Sequence, residues 1–213
     1  MDDLLDRGET LRAIQRYQIA RMRATHEALF RSPVYGPLCE FFVSDLYGPR
    51  ELGLARQASL ESFVALLKYL VPAWISEGAL GLVELQSLSA QLDDRLARTL
   101  SSAGCSAGFS SEEFEAAYFR CDDYADRIRQ IALSEACASY AFALSRHRSV
   151  GVLLGAARKL HRHASVDSLI AILERGHGAL VGVGEIAPFL AAMRAGETAY
   201  LDRIYAKGAG RDR

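Results

Sequence analysis

Charge of one sign is what this chain most lacks: 25 lysines and arginines stand against 26 aspartates and glutamates in 213 residues. The near-cancellation removes any global bias towards nucleic acid or anionic lipid, so such a partner would have to be read by a local patch. Long apolar runs are also missing. The most apolar stretch, 63–75, is interrupted by Lys68 and Pro72 and is too short to cross a bilayer. The N-terminal Met-Asp-Asp-Leu-Leu-Asp-Arg is acidic where a secretory signal is basic and then apolar, so the expected compartment is the cytoplasm and no membrane partner is expected.

Cysteine is scarce. Cys39, Cys105, Cys121 and Cys137 are widely spaced, with no C-x-x-C pair, so they spell neither a zinc site nor a disulfide framework and read as reduced core filler. Nowhere do four to eight residues alternate apolar and polar between hairpin turns, so no strand is expected. Without strands, Gly176-His-Gly178 and Gly182-Val-Gly184 have no strand-turn-helix context for a phosphate loop, and there is no Gly-x-Ser-x-Gly elbow.

Helical periodicity is abundant, and half the residues are hydrophobic, enough for a substantial core. The expected fold is all-α: one domain over 1–213, a helical bundle of about seven or eight helices with one long central helix. A long N-terminal helix fills 1–31 and stops at Ser32-Pro33, because proline disfavours helical dihedrals in the residue before it. A short helix between Gly36-Pro37 and Gly48-Pro49 follows, opened by the first pair and closed by the second. A further helix begins after Ser59 and ends or kinks near Pro72. The next runs through Leu82, Leu85, Leu88, Leu92, Leu96 and Leu100, and Ser101–Gly108 reads as a flexible connection. Ser110-Ser-Glu-Glu113 has the form of a capping box and opens the central helix over 110–146, ~50 Å long if unbroken. Helices over 150–163, 166–180 and 186–205 complete the bundle, and 207–213 is a flexible tail.

Polar residues inside apolar stripes are the candidate functional groups. Asp45 shares a stripe with Leu38, Phe41, Phe42 and Leu46, near a helix C-terminus where negative charge is unwelcome, so it needs a partner; Arg50, Arg56 and Arg127 are the candidates. Glu135 interrupts the stripe of Ile128, Ile131, Ala138 and Phe142, and Glu197 that of Met193, Tyr200 and Ile204. Asp45, Arg50, Arg127, Glu135 and Glu197 therefore form the set of buried polar residues, read first as structural pairs.

Glu174-x-x-His177 has the spacing by which di-iron bundles place two ligands on one side of a helix. Glu135, Glu174, His177 and Glu197, with His26 as a further donor, are the metal alternative, although a ferritin-like site wants two such pairs and this chain supplies one. No other cofactor is expected. Arg146, Arg148, Arg158, Lys159 and Arg162 form the only basic patch; it lacks an aromatic-interleaved surface, so nucleic acid is disfavoured.

Phe41-Phe42-x-x-Asp45-Leu-Tyr-Gly-Pro49, then Val71-Pro72, Leu-Gln-Ser-Leu-Ser-Ala-Gln-Leu-Asp over 85–93, Arg129-Gln-Ile-Ala132 and Leu173-Glu-Arg-Gly176 resemble an uncharacterised bacterial family of all-α proteins of about this length. The resemblance spans most of the chain and implies the all-α fold. It implies a large apolar residue in place of His177, and it supplies no activity and no catalytic residue. The leading expectation is a non-enzymatic interaction module acting through a protein partner or its own homo-oligomer. The alternatives are a small-molecule or metal site inside the bundle and nucleic-acid binding through 146–163.

Overall fold

The computed structural model describes residues 2–47, 73–105, 108–147 and 164–210. These residues form an all-α domain of eight α-helices and one π-helical turn, with no strand among them. In chain order they are α1 (Asp2–Thr25), α2 (Glu27–Arg31), α3 (Gly36–Phe41), the π turn (Phe42–Leu46), α4 (Ala73–Ser102), α5 (Ser111–Arg120), α6 (Tyr124–Ser145), α7 (Ala164–Val181) and α8 (Ala187–Ala209). No helix among the described residues is long and apolar enough to cross a membrane.

The helix ends follow local chemistry. Ser32 is extended at ψ 128° before Pro33, and its Oγ accepts the backbone N–H groups of Val34 and Tyr35 at 3.3 and 3.2 Å. Gly104, at φ +76°, ends α4: Cys105 N donates to Leu100 O and Gly104 N to Ser101 O, both at 3.0 Å, the crossed pair of a glycine-terminated helix. The capping box forms as expected, with Ser110 N donating to Glu113 Oε2 at 2.7 Å and Glu113 N to Ser110 Oγ at 3.2 Å.

Four expectations need correction. The N-terminal helix over 1–31 is two helices, α1 and α2, parted at His26, whose φ −113° and ψ 28° are not helical. The central helix over 110–146 is two helices, α5 and α6, because Asp122 turns left-handed at φ +49°, a conformation that Asp tolerates better than most residues and that no helix continues through. The longest helix among the described residues is instead α4, which already includes Ala73 and Trp74. The tail expected from 207 is helical through Ala209. The short helix does begin at Gly36 with Pro37 in its first turn, but it widens into the π turn, where Tyr47 N donates to Phe42 O at 2.9 Å. The helices expected over 59–72 and 150–163, and the closing Gly48-Pro49, lie outside the described residues.

Two cores hold the bundle. The first joins Ile14 of α1, Leu96 and Leu100 of α4, Phe114 and Tyr118 of α5, and Leu201 and Ile204 of α8. Tyr17 stacks on Phe114 at 4.0 Å between ring centroids and ties α1 to α5. The second joins Leu38 and Cys39 of α3, Leu180 of α7 and Phe189 and Leu190 of α8, with Ala138 and Met193 packed against it. The four cysteines are free thiols, and burial pushes Cys39 and Cys137 up to about 11, which leaves both protonated and inert at neutral pH. Close approach is bought at Gly196, where a Cβ would lie 2.5 Å from the His26 ring and drive it out of place.

Candidate functional site

Between the two cores lies a cavity of about 160 Å³, walled by one stripe from each of four helices and by the π turn. Helix α1 contributes Gln18, Arg21 and Met22, spaced i, i+3, i+4; α4 contributes Leu82, Leu85, Gln86, Ser89 and Asp93. From α6 come Arg127, Gln130, Ile131, Ser134, Glu135 and Ala138, and from α8 Phe189, Leu190, Met193, Arg194, Glu197, Tyr200 and Leu201. Phe42, Leu46 and Tyr47 close one side from the π turn, and Tyr118 of α5 contributes as well. The extra residue of a π turn shifts the phase of the side chains after it, which re-aims Leu46 and Tyr47 relative to a continuous α-helix.

Two arginines withdrawn from solvent lie on this wall, Arg127 buried and Arg21 partly so. Arg21 Nη1 donates to Glu197 Oε1 at 2.5 Å and Nη2 to Gln18 Oε1 at 2.9 Å, while the guanidinium carbon sits 4.4 Å from the centre of the Tyr200 ring. Glu197 Oε1 also meets His26 Nε2 at 2.7 Å, so one carboxylate joins the end of α1 to the middle of α8. Burial works against the charge of Glu197, but the His26 hydrogen bond and Arg21 outweigh it and hold the carboxyl below its usual range. Burial likewise disfavours the Arg21 cation, and Glu197 more than offsets it.

Arg127 is only 3 % exposed, and its contacts are long: Nε to Asp123 Oδ1 at 3.5 Å, Nη1 to Gln130 Oε1 at 3.4 Å and Nη2 to Leu92 O at 3.5 Å. Its guanidinium carbon lies 4.4 Å from the centre of the Tyr118 ring. Burial opposes its charge, but Tyr118, Asp123 and Asp93 together keep its pKa above the ordinary value. The left-handed Asp122 sets up this corner, since the residue after it, Asp123, has a fully buried side chain whose Oδ2 has no hydrogen-bond partner. Nearby, Tyr47 Oη donates to Asp93 Oδ2 at 3.5 Å, and Gln130 Nε2 donates to Ser89 Oγ at 2.8 Å. Burial pushes the Tyr118 hydroxyl up to about 12, so it stays protonated beside both arginines at neutral pH.

Of the residues singled out in the sequence, Glu135 and Glu197 do converge on this cavity, and each has its own arginine. Glu135 Oε2 accepts from Arg194 Nε at 2.7 Å. Arg127 reaches the cavity too, but it binds Asp123 and not Asp45. Asp45 pairs instead with Arg175 of α7, at 2.9 Å from Nε and 2.5 Å from Nη2, a partner 130 residues away that no local pattern announces. Arg50 and Arg56 lie outside the described residues.

Glu174 and His177 sit one turn apart on α7 and are not among the cavity-lining residues. Among the described residues no group of three or more His, Cys, Asp or Glu side chains is placed to hold a metal ion, so the four proposed ligands do not assemble into one set. Of the basic patch, Arg146 is exposed, and Arg148, Arg158, Lys159 and Arg162 lie outside the described residues.

Sequence reasoning missed Arg21, Gln18, Asp93 and Tyr47 as site residues. Arg21 follows Ile14 by seven residues and therefore shares its buried face, and Asp93 follows Leu85 by eight and interrupts the α4 stripe as Glu135 interrupts that of α6. Both signals were present in the spacing. Stretches quoted above for the resemblance meet here: 41–49 supplies Phe42, Leu46 and Tyr47, 85–93 supplies Leu85, Gln86, Ser89 and Asp93, and 129–132 supplies Gln130 and Ile131. The stretch 173–176 braces the first, since Arg175 holds Asp45 and a Cβ on Gly176 would fall 2.8 Å from the Phe41 ring.

Residues 3–210 match the family described as a domain of unknown function, DUF8198. No curated protein and no solved structure matches the chain.

Proposed function

The chain belongs to this family of unknown function, and we propose that it is a small-molecule-binding helical protein whose ligand occupies the cavity between the two cores. The observation that carries this reading is the cavity itself: about 160 Å³, walled by aliphatic and aromatic side chains together with three arginines, three carboxylates and several amide and hydroxyl groups. An apolar cavity of about 150 Å³ accepts benzene, so the volume suits a guest of one ring. Packed cores seldom keep such a space, because every unfilled contact forfeits dispersion energy. The convergence of the stretches 41–49, 85–93 and 129–132 on the cavity supports the same reading.

No observation of comparable weight favours the interaction module. The large apolar side chains exposed among the described residues are Val34, Leu80, Tyr124, Ile128 and Val181: Tyr124 and Ile128 are neighbours one turn apart on α6, and the others lie on the α2–α3 connection, α4 and α7.

A thermal-shift screen of single-ring compounds tests the proposal. A compound present at 100 times its Kd adds about 2.7 kcal/mol to stability and raises Tm by several degrees. Ala138→Phe, placed on the cavity wall, removes that shift while the helical circular dichroism is retained. A Tm shift that survives Ala138→Phe, or a screen in which no compound raises Tm, contradicts the proposal.

A further inference from the structure

The wall of the cavity says what kind of guest it takes. Three cations, Arg21, Arg127 and Arg194, and three carboxylates, Asp93, Glu135 and Glu197, line it, and Asp123 stands behind Arg127. Arg21 and Arg194 are committed to Glu197 and Glu135. A charged guest would leave water for a largely apolar space in which no countercharge is spare, and the desolvation cost of an ion there is large.

Arg127 differs from the other two. Hydrogen bonds from N–H to oxygen are ordinarily about 2.7–3.2 Å, whereas its three polar contacts, to one carboxylate, one amide and one backbone carbonyl, are 3.4 to 3.5 Å, with the side chain 4 % exposed. Its acceptors are held back by their own places in the fold: Leu92 O belongs to the backbone of α4, Gln130 also donates to Ser89, and Asp123 is at the start of α6. A buried donor with stretched bonds beside an open volume gains by meeting an acceptor that comes from the cavity.

We propose, resting on the small-molecule reading above, that the ligand is an uncharged molecule bearing a carbonyl or amide oxygen, taken by the Arg127 guanidinium, on an apolar body of about one ring. Phe42, Leu85 and Ile131 face that body, and Tyr47, which bonds Asp93, lines the same space.

Four probes of matched size separate the possibilities on the full chain by NMR titration: benzamide, benzoate, benzylammonium and toluene. Benzamide binds about tenfold more tightly than toluene, the worth of one good hydrogen bond to a charged donor, and both ions bind more weakly than benzamide. The Arg127 Nε–H resonance, identified by its absence in Arg127→Lys, moves on adding benzamide and stays on adding toluene. In Arg127→Met combined with Asp123→Asn, which removes both charges so that neither is left buried alone, benzamide falls to the affinity of toluene.

Tighter binding of either ion, equal binding of benzamide and toluene, or an unmoved Arg127 resonance overturns the assignment of an uncharged acceptor while leaving the cavity reading in place. If none of the four binds, toluene included, the cavity reading fails and this assignment with it.

Discussion

Arg127 is buried and Arg21 partly so, both lie against a tyrosine ring at 4.4 Å and both line one cavity, yet one is clamped and the other is slack. Arg21 meets Glu197 at 2.5 Å, and the same carboxylate takes His26 at 2.7 Å. Arg127 reaches its acceptors only at 3.4 to 3.5 Å. The difference is one of bond length: the Arg21 end is tied by short bonds that fasten α1 to α8, with only its buried Nε lacking a partner, whereas every bond at the Arg127 end is long.

The largest effect should come from breaking the clamped end. Glu197→Ala leaves Arg21 and His26 without their shared acceptor and costs about 3–5 kcal/mol, the usual range for an orphaned buried charge. Asp123→Asn at the slack end keeps the shape but takes from Arg127 its bonded carboxylate, leaving the charge to face Asp93 and the Tyr118 ring, and costs about 2 kcal/mol, the worth of one hydrogen bond to a charged group. Urea denaturation of both variants measures the contrast, and equal losses would erase the distinction.

The clamped end should also be visible as acid sensitivity. The Glu197 carboxyl is held below its ordinary 4.5, so the unfolded chain takes up the proton first as pH falls. Its contribution is therefore complete above about pH 4.5 and is lost as pH falls through the lower folded-state value. Glu115 adds in the same sense, since burial resists its charge but Lys207 and Arg203, each at 2.9 Å, outweigh it. Glu197→Gln flattens the acid limb of a stability-against-pH curve without abolishing it; a limb as steep as wild type would show that the clamp is not what acid breaks.

The smallest change concerns the corner that presents Arg127. Asp122→Gly relieves the left-handed strain and leaves stability unchanged or raised by up to about 1 kcal/mol, whereas a helical 110–146 segment would lose about 1 kcal/mol from a glycine at its interior. Thermal denaturation reads the sign.

How much of this the sequence carried depends on how far apart the partners lie. The all-α fold, the stop at Ser32-Pro33 and the Ser110–Glu113 capping box were legible because their physics is local. Glu135 and Glu197 stood out because a carboxylate in an apolar stripe demands a partner. Which arginine would answer was not legible: Arg194 lies 59 residues from Glu135, and Arg175 lies 130 from Asp45. The break at Asp122 was written in Asp122-Asp123, two residues that favour turns and helix starts, but the apolar periodicity continues across them and masked the signal. The cavity could not be read at all, because a void is a property of four helix faces meeting and no single stripe records it.

The central claim is that the space between the cores is made to hold a guest. Intermolecular NOEs from bound toluene to the methyl groups of the protein test it most directly. The account predicts contacts to Leu85, Ile131 and Leu190, which face the cavity from three helices. Contacts confined to exposed side chains such as Val34 and Val181, or no contacts at saturating toluene, would contradict it.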